Sequence, residues 1–140
     1  PTMALLCGIS KEKGVEHYEL FDKSVNIDKF KKYCQNLTAK YEGQPICLFM
    51  DNLSAHTSKK SQKEMRRLGF RFIYNVPYAP DYNPIEMVFS QIKQKFKSLR
   101  TQKLTGQTNA SHEDLIRQAV ESVKKKNVQK CVNHCINLLR

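Results

Sequence analysis

The run Ile46-Cys47-Leu48-Phe49-Met50 constrains the fold more than any other stretch of the chain. It is apolar throughout, bounded by Gly43-Gln44-Pro45 on one side and Asp51-Asn52 on the other. A short apolar run framed by breakers reads as a buried strand. Phe70-Arg71-Phe72-Ile73-Tyr74 is a second one. Between them, Ser58 can cap a helix over Lys59–Leu68 that Gly69 stops. Strand, helix, strand in that order needs a right-handed crossover and a parallel pair, which puts the chain in the α/β class. Asp51 is then delivered at the C-terminal end of a strand, the sheet edge where ligands bind in such folds.

The flanking segments fit the same class. Met3–Ile9 is apolar and reads as a central strand. Lys11-Glu12-Lys13-Gly14 is a turn, and Val15–Phe21 alternates as a half-exposed strand does, so the two form a hairpin. His17 falls on its surface. Ser24 or Asn26 caps a helix over Ile27–Tyr41 whose apolar positions step by three or four. From Asn75 to Asn83 the chain is a loop stiffened by Pro77, Pro80 and Pro84, where Tyr78 and Tyr82 either stack on a base or pack on the sheet edge. Asn83 caps the next helix, Pro84 takes its first position and Glu86 its third. Ile85, Val88, Phe89, Ile92, Phe96 and Leu99 form its apolar stripe, with Lys93, Lys95, Lys97 and Arg100 off it. Thr101–Ala110 reads as a mobile polar connector. Ser111-His112-Glu113-Asp114 opens another helix with capping chemistry, and Lys124-Lys125-Lys126 suits its C-terminus. Val128, Cys131, Val132, Cys135 and Ile136 make a last helical face.

Composition narrows the function. A chain of 140 residues favours one domain with its own core. No apolar run approaches the roughly 20 residues of a membrane helix, so membrane insertion is not expected. Five cysteines without a CxxC pair read as reduced, buried thiols of an intracellular protein. Cys131, His134 and Cys135 do not make a zinc site, because two cysteines one turn apart on an apolar face belong to a core and no second ligand pair follows. Net charge is +11 and the excess is clustered. Residues 59–71 carry six basic side chains against one Glu, and residues 86–140 carry eleven against four acidic. A polyanion, most simply nucleic acid, is the expected partner, through Lys59, Lys60, Lys63, Arg66, Arg67, Lys93, Lys97 and Arg100.

Two carboxylates, Asp51 after a strand and Glu86 on a first helical turn, have the positions a magnesium-dependent phosphoryl-transfer site needs. Each has a plainer use. Glu86 can complete a capping box with Asn83, and Asp51 can form a turn. The surrounding residues decide. Met50-Asp51-Asn52 with His56, then Val76-Pro77-Tyr78-Ala79-Pro80-Asp81-Tyr82-Asn83-Pro84-Ile85-Glu86, with 34 residues between the two acids, resemble the catalytic core of the mariner-type DDE transposases. The resemblance covers about residues 1–100.

That resemblance implies an RNase H-like fold, a mixed sheet flanked by helices. It makes residues 1–100 the DDE domain and residues 101–140 a connector with helices packing on the same domain. Three acids of such enzymes bind two divalent ions, magnesium or manganese, for DNA strand cleavage and transfer. It makes Asp51 the second acid and Glu86 the third; of the supporting positions, His56 either assists the site or bonds a loop carbonyl, and Asn52 and Asn83 hold loop backbone. The first acid belongs on a strand before Met3–Ile9, so the first strand of the fold is missing from this chain. The chain starts at Pro1, which leaves processing or a longer parent open. Two other functions fit the same residues. One is an inactive domesticated remnant serving as a scaffold among protein partners; the other is a non-catalytic nucleic-acid binder. A protein acting on DNA would work in the nucleus.

Overall fold

Four strands and five helices are present among the described residues, in the order β1 Ala4–Ser10, β2 Gly14–Phe21, α1 Ile27–Lys40, β3 Ile46–Met50, α2 Lys59–Arg67, β4 Phe70–Tyr74, α3 Pro84–Leu104, α4 His112–Glu121 and α5 Lys125–Leu138. The structure is a computed structural model and describes residues 3–42, 44, 46–50, 59–74 and 82–138, the side chains of 59–62, 72 and 74 excepted. The chain divides into two compact units, Pro1–Leu6 with Glu19–Asn83, and Cys7–Tyr18 with Pro84–Arg140.

In the first unit, the Asn26 side chain accepts a hydrogen bond from the Lys29 amide at 2.9 Å and so fixes the start of α1. The three-to-four spacing then puts Phe30, Tyr33, Cys34 and Leu37 on one buried face. Met65 from α2 and Phe70 from β4 join them in one core. Fully burying a side chain such as Phe70 is worth about 1.5–3 kcal/mol. β3 and β4 pair in parallel, with Ile46 opposite Phe70 and Met50 opposite Tyr74. The expected crossover unit is therefore present, and both strands end at the same edge.

β3 is not buried on both faces. Ile46, Leu48 and Met50 pack on the core. Cys47 is exposed, and Phe49 and its partner Ile73 are 43% and 55% exposed. The all-apolar run hides an alternation that hydropathy alone does not show. The expected burial of the Cys47 thiol is corrected with it. Cys34 is buried, and burial pushes its pKa up to about 12, with Glu19 adding to the shift.

In the second unit, α3 packs on α4 and on α5. Val88, Ile92 and Leu99 of α3, Leu115, Ala119 and Val120 of α4, and Val128, Cys131 and Cys135 of α5 are all buried. Ser111 and Asp114 close a reciprocal capping box at the start of α4. The His112 ring meets Phe96 edge-on at 5.2 Å. α3 continues to Leu104, so helix takes the first part of the segment expected as connector, and it ends at Gly106 with φ +79°. The lysines at 124–126 do not close α4 either: α4 stops at Glu121, and Lys125 and Lys126 open α5.

β1 and β2 form the expected hairpin. The three residues between them can join only antiparallel strands. Among the described residues the strands make two separate two-stranded sheets, one antiparallel and one parallel.

Candidate metal and nucleic-acid site

Asp51 follows β3 directly in the sequence. Asp51, Asn52 and His56 lie outside the described residues. Glu86 is described: Pro84 opens α3, and Glu86 occupies its first turn with its side chain exposed. A carboxylate there is favoured by the positive end of the helix dipole. Asn83, just ahead of the helix, is 3% exposed and is the buried polar residue among those described. A buried amide is kept in place by its hydrogen bonds, which suits a residue that fixes where α3 begins.

Helical geometry places Glu86 with the basic residues. Val88, Ile92 and Leu99 face inward. Glu86, Ser90, Lys93, Lys97 and Arg100 step by four and three along the opposite side and are all exposed. One face of α3 thus carries the acid at its N-terminal end and three cations behind it. At 1.5 Å per residue the stripe runs about 21 Å from Glu86 to Arg100, the rise of about six nucleotides of one DNA strand.

α2 supplies a second cationic surface. Lys63, Arg66 and Arg67 are exposed around the buried Met65. The helix is tied to α1 by an ion pair between Lys31 and Glu64, and the hydrogen bond to Glu64 raises the Lys31 pKa. The side chains of Lys59 and Lys60 lie outside the described set. No three His, Cys, Asp or Glu side chains cluster among the described residues. Within that set Glu86 is the acid on this face of α3, and a carboxylate oxygen is the donor type that a magnesium ion takes.

Sequence reasoning passed over the contact between β2 and α4. The Tyr18 hydroxyl donates to Glu121 Oε1 at 2.8 Å, and the Arg117 guanidinium lies 5.9 Å from the Tyr18 ring centre. Burial and the Glu121 carboxylate raise the Tyr18 pKa, against the opposing pull of Arg117. The partners are 103 positions apart, so no local pattern announces them.

Comparison with known proteins agrees with this architecture. The family described as DDE superfamily endonuclease matches residues 2–109. The chain therefore belongs to the DDE superfamily endonucleases. Among solved structures it is similar to the transposase in a pre-cleavage Mos1 transpososome, with 16% identity and a TM-score of 0.55, over 94% of this chain and 43% of that one. It is also similar to the Mos1 transposase catalytic domain with raltegravir and magnesium, at 17% identity and a TM-score of 0.55, over 94% of this chain and 74% of that one. The corresponding structure with manganese matches at 16% identity and a TM-score of 0.55. This chain thus has the RNase H-like fold of a mariner transposase catalytic domain, and it spans less than half the length of the transposase in the transpososome. No match is found among curated protein sequences.

Proposed function

We propose that this domain binds DNA along α3 and serves metal-dependent strand cleavage and transfer, with Asp51 and Glu86 as the metal ligands. One observation carries the reading: Glu86 stands at the head of the exposed face that bears Lys93, Lys97 and Arg100. Cations spaced along a helix bind successive phosphates, and a strand laid on them is led toward the acid. Asn83 is a positioning residue that holds the start of α3. Lys63, Arg66 and Arg67 give a second phosphate contact; Lys59, Lys60, Asn52 and His56 are assigned by sequence. The Mos1 catalytic domain structures with magnesium and with manganese support a divalent ion, and the transpososome supports work within a larger assembly. A bound ion would supply charge neutralisation at the phosphate undergoing attack. The chain's own residues bind and orient the strand. The nucleus is the compartment that suits this chemistry, which imaging of the tagged protein checks.

The test is magnesium-dependent nicking of DNA carrying transposon terminal repeats, compared with Asp51→Asn at unchanged folding. Nicking that disappears in Asp51→Asn supports the reading. Equal nicking by the variant overturns it. DNA binding without nicking by either protein leaves a nucleic-acid-binding module.

A further inference from the structure

A groove of about 390 Å³ lies within the second unit, between β2 and the turn that joins α4 to α5. Its size falls inside the range of small-ligand sites, roughly 300–1,000 Å³. Three contacts around it fix its walls. Tyr18 donates to Glu121 on one side. Gln129 Nε2 donates to the Lys11 carbonyl at 2.9 Å on another. At Gly14, φ is +80° and a Cβ would stand 3.0 Å from the Lys125 Cα, so only glycine lets the hairpin approach α5 this closely. The two walls are therefore pinned together, yet a volume remains between them that no side chain fills.

The lining is chemically mixed. Lys13 and Lys125 supply positive charge, Val15 and Val123 an apolar floor, and Tyr18 and His17 two rings. Glu121 and Glu16 also line it, already accepting from Tyr18 and from Ser10. The first turn of α5 carries Lys125 and Lys126 and no acid, against the preference of a helix start for negative charge.

From these residues we infer that the groove takes one unpaired nucleotide of a DNA strand, its phosphate at Lys13 and Lys125 and its base against Val15, Val123 and Tyr18. A nucleotide matches the mixed lining: an anion for the lysines, a flat apolar face for the valines and ring, and amino or imide donors for the glutamates. This rests on the DNA reading but concerns a different surface from the α3 stripe. It makes the domain sensitive to an unpaired strand end in addition to the duplex.

The experiment follows amide shifts of the full chain on titration with a thymidine tetranucleotide in EDTA, where cleavage cannot contribute. Shifts concentrated at residues 13–18 and 120–125 are expected. Lys125→Glu, which removes a phosphate contact, and the groove-filling Val123→Trp, which removes the base contact, should each weaken binding about tenfold. Lys125→Glu suits the start of α5 and should fold at least as well as the parent, which circular dichroism checks. Duplex binding should survive both changes. Shifts confined to α3, unchanged affinity in Lys125→Glu, no binding at all, or inorganic phosphate binding as tightly as the tetranucleotide would each overturn the inference. Failure of nicking with intact tetranucleotide binding removes the proposed activity and leaves the groove standing.

Discussion

α2 and α3 are both cationic helices, but they are anchored differently. α2 is nine residues long, has Met65 as its buried residue among those whose side chains are described, and is tied to α1 by the Lys31–Glu64 pair. α3 is 21 residues long, buries Val88, Ile92 and Leu99, and packs on two further helices. Isolated helices shorter than about 12–15 residues are marginal in water, so tertiary packing decides which basic helix holds its charges still. Charge content alone marks both as nucleic-acid surfaces. On the proposed reading, anchorage makes α3 the better-held rail for DNA.

The largest expected effect concerns the acid at the head of that rail. Glu86→Gln should lower metal-dependent nicking by at least about 100-fold, as loss of a ligand that holds the charge-stabilising ion does. Combined replacement of Lys63, Arg66 and Arg67 by Gln should leave the rate on saturating DNA close to the parent. If both variants lose the rate equally, the two helices are not functionally distinct.

Next in size is a packing change. Leu115 is 2% exposed under α3, and Leu115→Ala should cost about 2–5 kcal/mol of stability. Hydrogen exchange should then speed up along α3 while α1 stays protected. Equal loosening of α1 would show that the division into units does not describe cooperative behaviour.

Salt dependence sharpens the contrast at lower energy. Replacing Lys93, Lys97 and Arg100 by Gln should flatten the log–log salt slope of duplex binding by about 2–3, at roughly 0.9 per phosphate contact. The corresponding α2 triple variant should change it by less. A reversed order makes α2 the principal phosphate contact.

The smallest effect is alkaline. Burial raises the Cys34 and Cys7 pKa values to about 12, against 9.0 for an unperturbed thiol. Below pH 9 this contribution to stability is fully present. It falls as pH rises from about 9 toward 12, because the unfolded thiols ionise first. Replacing Cys34 by Ala should flatten that decline, measured by denaturant unfolding across the range. At neutral pH, Cys47, which is exposed, should react with alkylating agents well before Cys34.

Much of this was legible in the residues. Local rules fixed the strands at Ile46–Met50 and Phe70–Tyr74, the Asn26 cap and the Ser111 capping box, because each depends on neighbours in sequence. The exposed side of β3 was not legible, since Cys47 and Phe49 are apolar by composition and their exposure depends on what covers the sheet. The lysines at 124–126 suited the end of one helix and the break before the next, and hydrophobic spacing alone did not divide them. Glu86 was readable as a first-turn acid. The apolar stripe of α3 was readable too, because its three-to-four spacing is local, and Val88, Ile92 and Leu99 of that stripe are buried.

The proposal stands or falls on Asp51 and Glu86 serving the same metal centre. Paramagnetic broadening of amide signals by manganese, at substoichiometric ion, tests it directly. Signals around Asp51 and Glu86 should broaden together, and either Asp51→Asn or Glu86→Gln should abolish the broadening at both places. Broadening at one acid that persists after the other is replaced would contradict it.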